Sequence, residues 1–160
     1  MAYTINTPLA GFQGIANTDT TQAHALGTIV TATDPTYGTG EFVYLKGVAS
    51  TAVGTVVIYD QYGATSTRAV AGSRGPVAVA MSANVASQYG WYQVGGAAVV
   101  KAGTVAAGAP AYVTATAGTV DDAVVSGDKI DSFVFKTADG TPSAGFAVAQ
   151  LARPSLNGNG

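Results

Sequence analysis

Thr28-Ile-Val-Thr-Ala-Thr33, Phe42-Val-Tyr-Leu45 and Thr55-Val-Val-Ile-Tyr59 decide the fold class. Each is a short β-branched or aromatic run, the composition that fits a pleated, half-buried surface. Between them lie Asp34-Pro-Thr-Tyr-Gly-Thr-Gly40, residues 49–54 and Asp60-Gln-Tyr-Gly63, all rich in residues that turn a chain. The same punctuation continues onward, with strand signals at Trp91–Val94, Ala97–Lys101, Ala111–Ala115, Ser132–Lys136 and Phe146–Leu151. Pro76-Val-Ala-Val-Ala-Met81 alternates bulky with small side chains, not apolar with polar ones, so both of its faces are expected to be covered. Ser82-Ala-Asn-Val-Ala-Ser-Gln-Tyr89 is the one segment that reads as a short helix, with Ser82 to cap it and Gly90 to end it. About ten short strands without sustained 3.6-residue periodicity predict an all-β protein, an antiparallel β-sandwich or β-barrel.

The chain divides into three parts. Residues 1–25 carry one charge, Asp19, and scatter Ile5, Leu9, Phe12 and Ile15 among glycines, asparagines and threonines. This pattern reads as an extended N-terminal arm that docks on a neighbouring surface and contributes to association more than to the core. Residues 26–152 form the β-rich domain. The tail 153–160, Arg-Pro-Ser-Leu-Asn-Gly-Asn-Gly, is too rich in turn formers to continue a strand and is expected to be flexible.

Composition excludes several function classes. Of 160 residues only 10% are charged, and the formal charge of −2 leaves no basic stripe to neutralise a row of phosphates, so no direct nucleic-acid binding is expected. The absence of cysteine removes disulfides and thiolate metal sites. The start of the chain lacks the basic and apolar regions of a secretory signal, which predicts a protein that stays in the cytoplasm after synthesis. Gly75–Val100 is uncharged, but Pro76, Asn84, Gln88 and Gln93 interrupt it, so buried strands are preferred to a membrane span. Alanine at many strand positions gives a thin core, since each buried CH2 is worth only about 0.8 kcal/mol. A thin core with 21 glycines predicts a subunit that gains stability by association.

Candidate chemical sites are few. Asp121, Asp122, Asp128 and Asp131 cluster near Gly127, but their spacing lacks the EF-hand ligand pattern, and a solvated loop is preferred to a metal site. His24 has no nucleophile motif beside it and reads as a surface or interface residue. Ala71-Gly-Ser-Arg-Gly75 has the makings of a small anion-binding nest, with a hairpin turn as the stronger reading. Gly38-Thr-Gly40 lacks the third glycine and following helix of a nucleotide fingerprint. No catalytic residue, cofactor or metal is expected. Tyr37, Tyr62, Tyr89 and Trp91 lie near turns, where amphipathic rings suit a protein interface or the face of a sugar, with interface preferred. Together with Ile5, Leu9, Phe12 and Ile15 they form the expected interface set.

Tyr89-Gly-Trp-Tyr-Gln-Val-Gly-Gly-Ala-Ala-Val-Val100, then Ala102–Val113 and Ala117–Asp122, resemble the strand-turn-strand pattern of capsid decoration, or cement, proteins of tailed bacteriophages. Phe146–Leu151 before a proline-containing tail is similar too, so the resemblance spans roughly residues 27–153. It implies a non-enzymatic β-rich virion subunit on the outer surface of a capsid, clamping major capsid proteins together. It also implies a homo-oligomer, a trimer or a dimer, whose several weak contacts add up by avidity. A phage tail-fibre or glycan-binding β-sandwich module is the alternative.

Overall fold

The computed structural model describes residues 1–6, 11 and 13–158. Within them the chain forms twelve strands and no helix: β1 (Thr4–Ile5), β2 (Thr18–Asp19), β3 (Ile29–Asp34), β4 (Gly38–Lys46), β5 (Val56–Tyr59), β6 (Ser66–Arg68), β7 (Gly75–Ala80), β8 (Tyr89–Lys101), β9 (Pro110–Val113), β10 (Val120–Asp121), β11 (Lys129–Phe135) and β12 (Phe146–Leu156). Every ladder between them is antiparallel, so the protein is all-β.

The β-branched and aromatic runs sort the sheet into two rings that share β8. The first follows β4, β8, β7, β5 and β6, and closes where Thr65 bridges Lys46. The second follows β8, β12, β11, β9 and β10, and closes where Val120 bridges Ala102. β8 passes from one ring to the other at Gly95-Gly96. Gly96 has φ +89°, and a Cβ there would lie 2.4 Å from the Thr39 carbonyl oxygen, so only glycine permits this crossing. The sequence reading broke this strand in two because a glycine pair signals a turn. Here the pair bends a single strand of 13 residues.

Alternation then assigns the cores. Val43, Leu45, Ala78, Ala80, Tyr92 and Val94 fill the first ring. The opposite parity of β5 and β7, Val56, Val77 and Val79, reaches into the core of the second ring with Val100, Phe133, Phe135 and Leu151. The wall between the rings is therefore covered on both faces, as the alternation of Val and Ala at 77–80 predicts. A third cluster lies outside the first ring, where Val30, Phe42, Tyr44 and Trp91 face the N-terminal residues.

Three segments depart from the sequence reading. Residues 82–88 connect β7 to β8 without a helix, because Asn84 is fully buried and Gly47 N–H donates to the Gln88 carbonyl at 2.8 Å, tying the segment to β4. β12 continues through Leu156, past Arg153 and Pro154. Its ladder with β11 jumps from Phe133↔Leu151 to Asp131↔Ser155 across Ser132 (φ +59°) and Arg153 (φ +51°). This bulge admits a proline that lacks a ladder donor and reverses the side-chain parity, so that Leu156 is buried beside Leu151. Residues 153–156 are thus strand, not flexible tail. The third departure is the arm. β1 pairs with the edge of β3, β2 pairs with the start of β8, and Ile15 between them is only 3% exposed. The described part of the arm packs on its own domain and covers the third cluster.

Candidate functional site

The expected interface residues divide by burial. Trp91 is 1% exposed and packs on Tyr44, with ring centroids 5.1 Å apart. Ile15 and Ile5 belong to the same aromatic cluster. Tyr89 is half-buried and stacks on Tyr44 at 6.4 Å, and Tyr37 is half-buried in the β3–β4 turn. Leu9 and Phe12 lie outside the described residues. His24, expected at the surface, is half-buried against the rings of Tyr44 and Trp91, 5.2 and 5.5 Å away. Among the described members of the set only Tyr62 is fully exposed, at the tip of the β5–β6 hairpin.

The carboxylates brace the chain. All nine acidic side chains accept a hydrogen bond within the protein. Six of them take backbone N–H groups in or beside turns. Asp34 accepts from Ala2, Thr36 and Tyr37. Asp60 accepts from Tyr62 and Gly63 at 3.0 and 2.9 Å, closing the hairpin tip. Asp121 accepts from Ala123, Asp122 from Ala106, Asp128 from Gly72 and Asp139 from Val105. The other three take side chains: Asp19 from Tyr44 at 2.6 Å, Glu41 from Arg153 and Asp131 from Asn157. The four-aspartate cluster of the sequence is therefore divided among separate turns. Among the described residues no group of three or more His, Cys, Asp or Glu side chains is placed to hold a metal ion.

The Ala71–Gly75 turn does hold an anion, but the anion is the protein's own. Gly72 N–H donates to Asp128 at 2.8 Å and the Arg74 guanidinium lies 3.6 Å from the same oxygen. Arg74 lies across Gly127 and Gly158, whose added Cβ atoms would fall 3.3 and 2.8 Å from it. Arg74 also lines a cleft of about 450 Å3 together with Asp60 and Gln61. The β5–β6 tip, the 71–75 turn and the 122–128 loop therefore meet at one rim of the molecule. Val124 and Val125 project from that loop, 80% and 44% exposed. The sequence reading missed them, although two β-branched apolar residues inside turn chemistry are the signal that marks them.

Burial dominates the tyrosine electrostatics. Desolvation pushes Tyr3 up to about 12, and it does the same to Tyr44, whose hydroxyl also donates to the Asp19 carboxylate. Tyr92 is raised by burial too, against opposing hydrogen bonds from Ser66 and Asn84. Burial alone would raise Asp34, but the backbone donors of Thr36, Ala2 and Tyr37 together outweigh it and hold the carboxyl below its usual value. No protein-family model matches the chain, and no curated protein matches its sequence. Among the described residues no helix is long and apolar enough to cross a membrane.

Proposed function

We propose that this chain is a structural subunit that works by adhering to other protein subunits, as a decoration protein on the outer surface of a phage capsid. The observation that carries the reading is the use of its acidic groups. Six of the nine tie down backbone N–H groups in or beside turns and Asp19 holds a buried hydroxyl, so most of the acidic chemistry of the chain goes into fixing its own shape. Stiff loops suit a subunit whose work is contact, because a preorganised surface loses little entropy on binding. Large apolar side chains left outside, Tyr62 and Val124 above all, are what such a surface would offer. The capsid assignment itself rests on the resemblance of residues 89–122 and 146–151 to decoration proteins. The partners are then the major capsid protein and further copies of this chain.

Co-sedimentation with shells assembled from the major capsid protein alone tests the reading. Saturable binding is expected, and a chain that stays in the supernatant at every concentration contradicts it. The second reading is a glycan-binding module, favoured by the polar cleft of about 450 Å3 lined by Asp60, Gln61, Thr65, Thr67 and Arg74. Glycan-array binding by the isolated chain, lost in Thr67→Val, would replace the first reading with the second.

A further inference from the structure

We infer that the rim formed by the β5–β6 tip, the 71–75 turn and the 122–128 loop is the face that docks on the shell, against a protein surface with basic side chains around an apolar pocket. The inference rests on the decoration reading and adds to it the face and the chemistry of the partner.

Tyr62 is the anchor. Its ring is fully exposed, while Asp60 locks the backbone beneath it by accepting from the N–H groups of Tyr62 and Gly63. A tyrosine on a rigid turn supplies large amphipathic contact area at low entropic cost, and Tyr and Arg are enriched among the residues that dominate interface energies. Val124 and Val125 form a second apolar projection, on a loop whose base is fixed by the hydrogen bond from Asp128 N–H to the Val125 carbonyl at 3.1 Å. The two projections are held in one frame. Asp128 also binds Gly72 N–H and faces Arg74, and Arg74 lines the same cleft as Asp60 and Gln61.

Charge specifies the partner. Asp60, Asp121 and Asp122 place three carboxylates on the tip and the 121–128 segment against the single ammonium of Lys129, which flanks Tyr112 opposite Asp121, while the charge of Arg74 is offset by Asp128, so the balance at this rim is negative. A negative rim around apolar projections is complementary to lysines and arginines surrounding a socket. Such complementarity governs association rate and register, and salt weakens it.

The test uses the full chain and shells assembled from the major capsid protein alone. Tyr62→Ala, Val124→Ser and the double variant are compared with wild type and with Val134→Ser, a change at an exposed site on the outer face of β11, away from the rim. Both rim side chains are exposed, so the melting temperatures of these variants should match wild type. Expected is a loss of more than about tenfold in shell affinity for the double variant, no loss for Val134→Ser, and an association rate for wild type that falls with added salt. Wild-type binding that the double variant retains in full overturns the rim alone. Wild type that fails to bind shells overturns the decoration reading and the rim with it. Loss of a self-associated species in the double variant, with shell affinity unchanged, makes the rim an interface between copies and overturns the shell assignment.

Discussion

Removing residues 1–20 should destabilise the subunit itself. This reverses what the sequence suggests, namely an arm that matters for attachment and little for folding. Ile15 is almost fully buried in the cluster of Phe42, Tyr44 and Trp91, and truncating a buried aliphatic side chain of that size costs about 2–5 kcal/mol. The deletion also removes Asp19, the acceptor of the Tyr44 hydroxyl, and Tyr3, whose ring meets Phe42 edge-on at 4.8 Å. Losing a buried acceptor costs about 1–3 kcal/mol, at the low end here because water can reach the hydroxyl once the arm is gone. Together these give a loss on the order of 3–6 kcal/mol, which for a domain of this size lowers Tm by roughly 6–24 °C. Trp91 is the only tryptophan and lies in the cluster the arm covers, so its emission reports the same event by shifting to the red. Urea and thermal denaturation of the truncated and full-length chains supply the comparison. A Tm within about 2 °C of wild type and an unchanged Trp91 spectrum would show that the arm is no part of the core.

Trp91→Ala should cost about 3–5 kcal/mol in urea denaturation, the range for emptying a core site of that size, and a near-neutral effect would remove Trp91 from the core. Asp128→Ala leaves Gly72 N–H and Arg74 without their shared acceptor; a loss of about 1–3 kcal/mol and faster proteolytic cleavage within residues 71–75 are expected, and cleavage at the wild-type rate would contradict the brace. Tyr3 and Tyr44 ionise near pH 12 in the folded protein instead of near 10, so between those values the unfolded chain loses these protons first. Their contribution to stability is complete below about pH 10 and declines as pH rises towards about 12. Tyr44→Phe should flatten that decline, and an identical pH profile would refute the assignment.

The strands were legible wherever β-branched residues met clear turn chemistry, as at Ile29–Asp34 and Val56–Tyr59. The alternation of Val and Ala at 77–80 likewise revealed a wall with two covered faces. Local patterns failed where distant contacts decide. Gly95-Gly96 reads as a turn until Thr39 lies against it, and Pro154 reads as a stop until a bulge in β12 accommodates it. Ser82–Tyr89 has helix-like ends, yet the burial of Asn84 and the tie from Gly47 hold it as a connection. The site was less legible still. Of the aromatic residues near turns, Tyr62 is fully exposed, but the same chemistry places Trp91 in the interior, because a ring that suits an interface suits a core equally well. The aspartates looked like a cluster in sequence, whereas their acceptor roles pair them with amides as far away as Gly72 from Asp128 and Val105 from Asp139.

The proposed capsid role is tested most directly by quantifying this 15.8 kDa chain against the major capsid protein in purified particles of a tailed phage whose genome carries its gene. A fixed stoichiometric ratio, kept through density-gradient purification and lost only when the outer surface is stripped, is the result the account predicts. Particles that lack the chain altogether would contradict it.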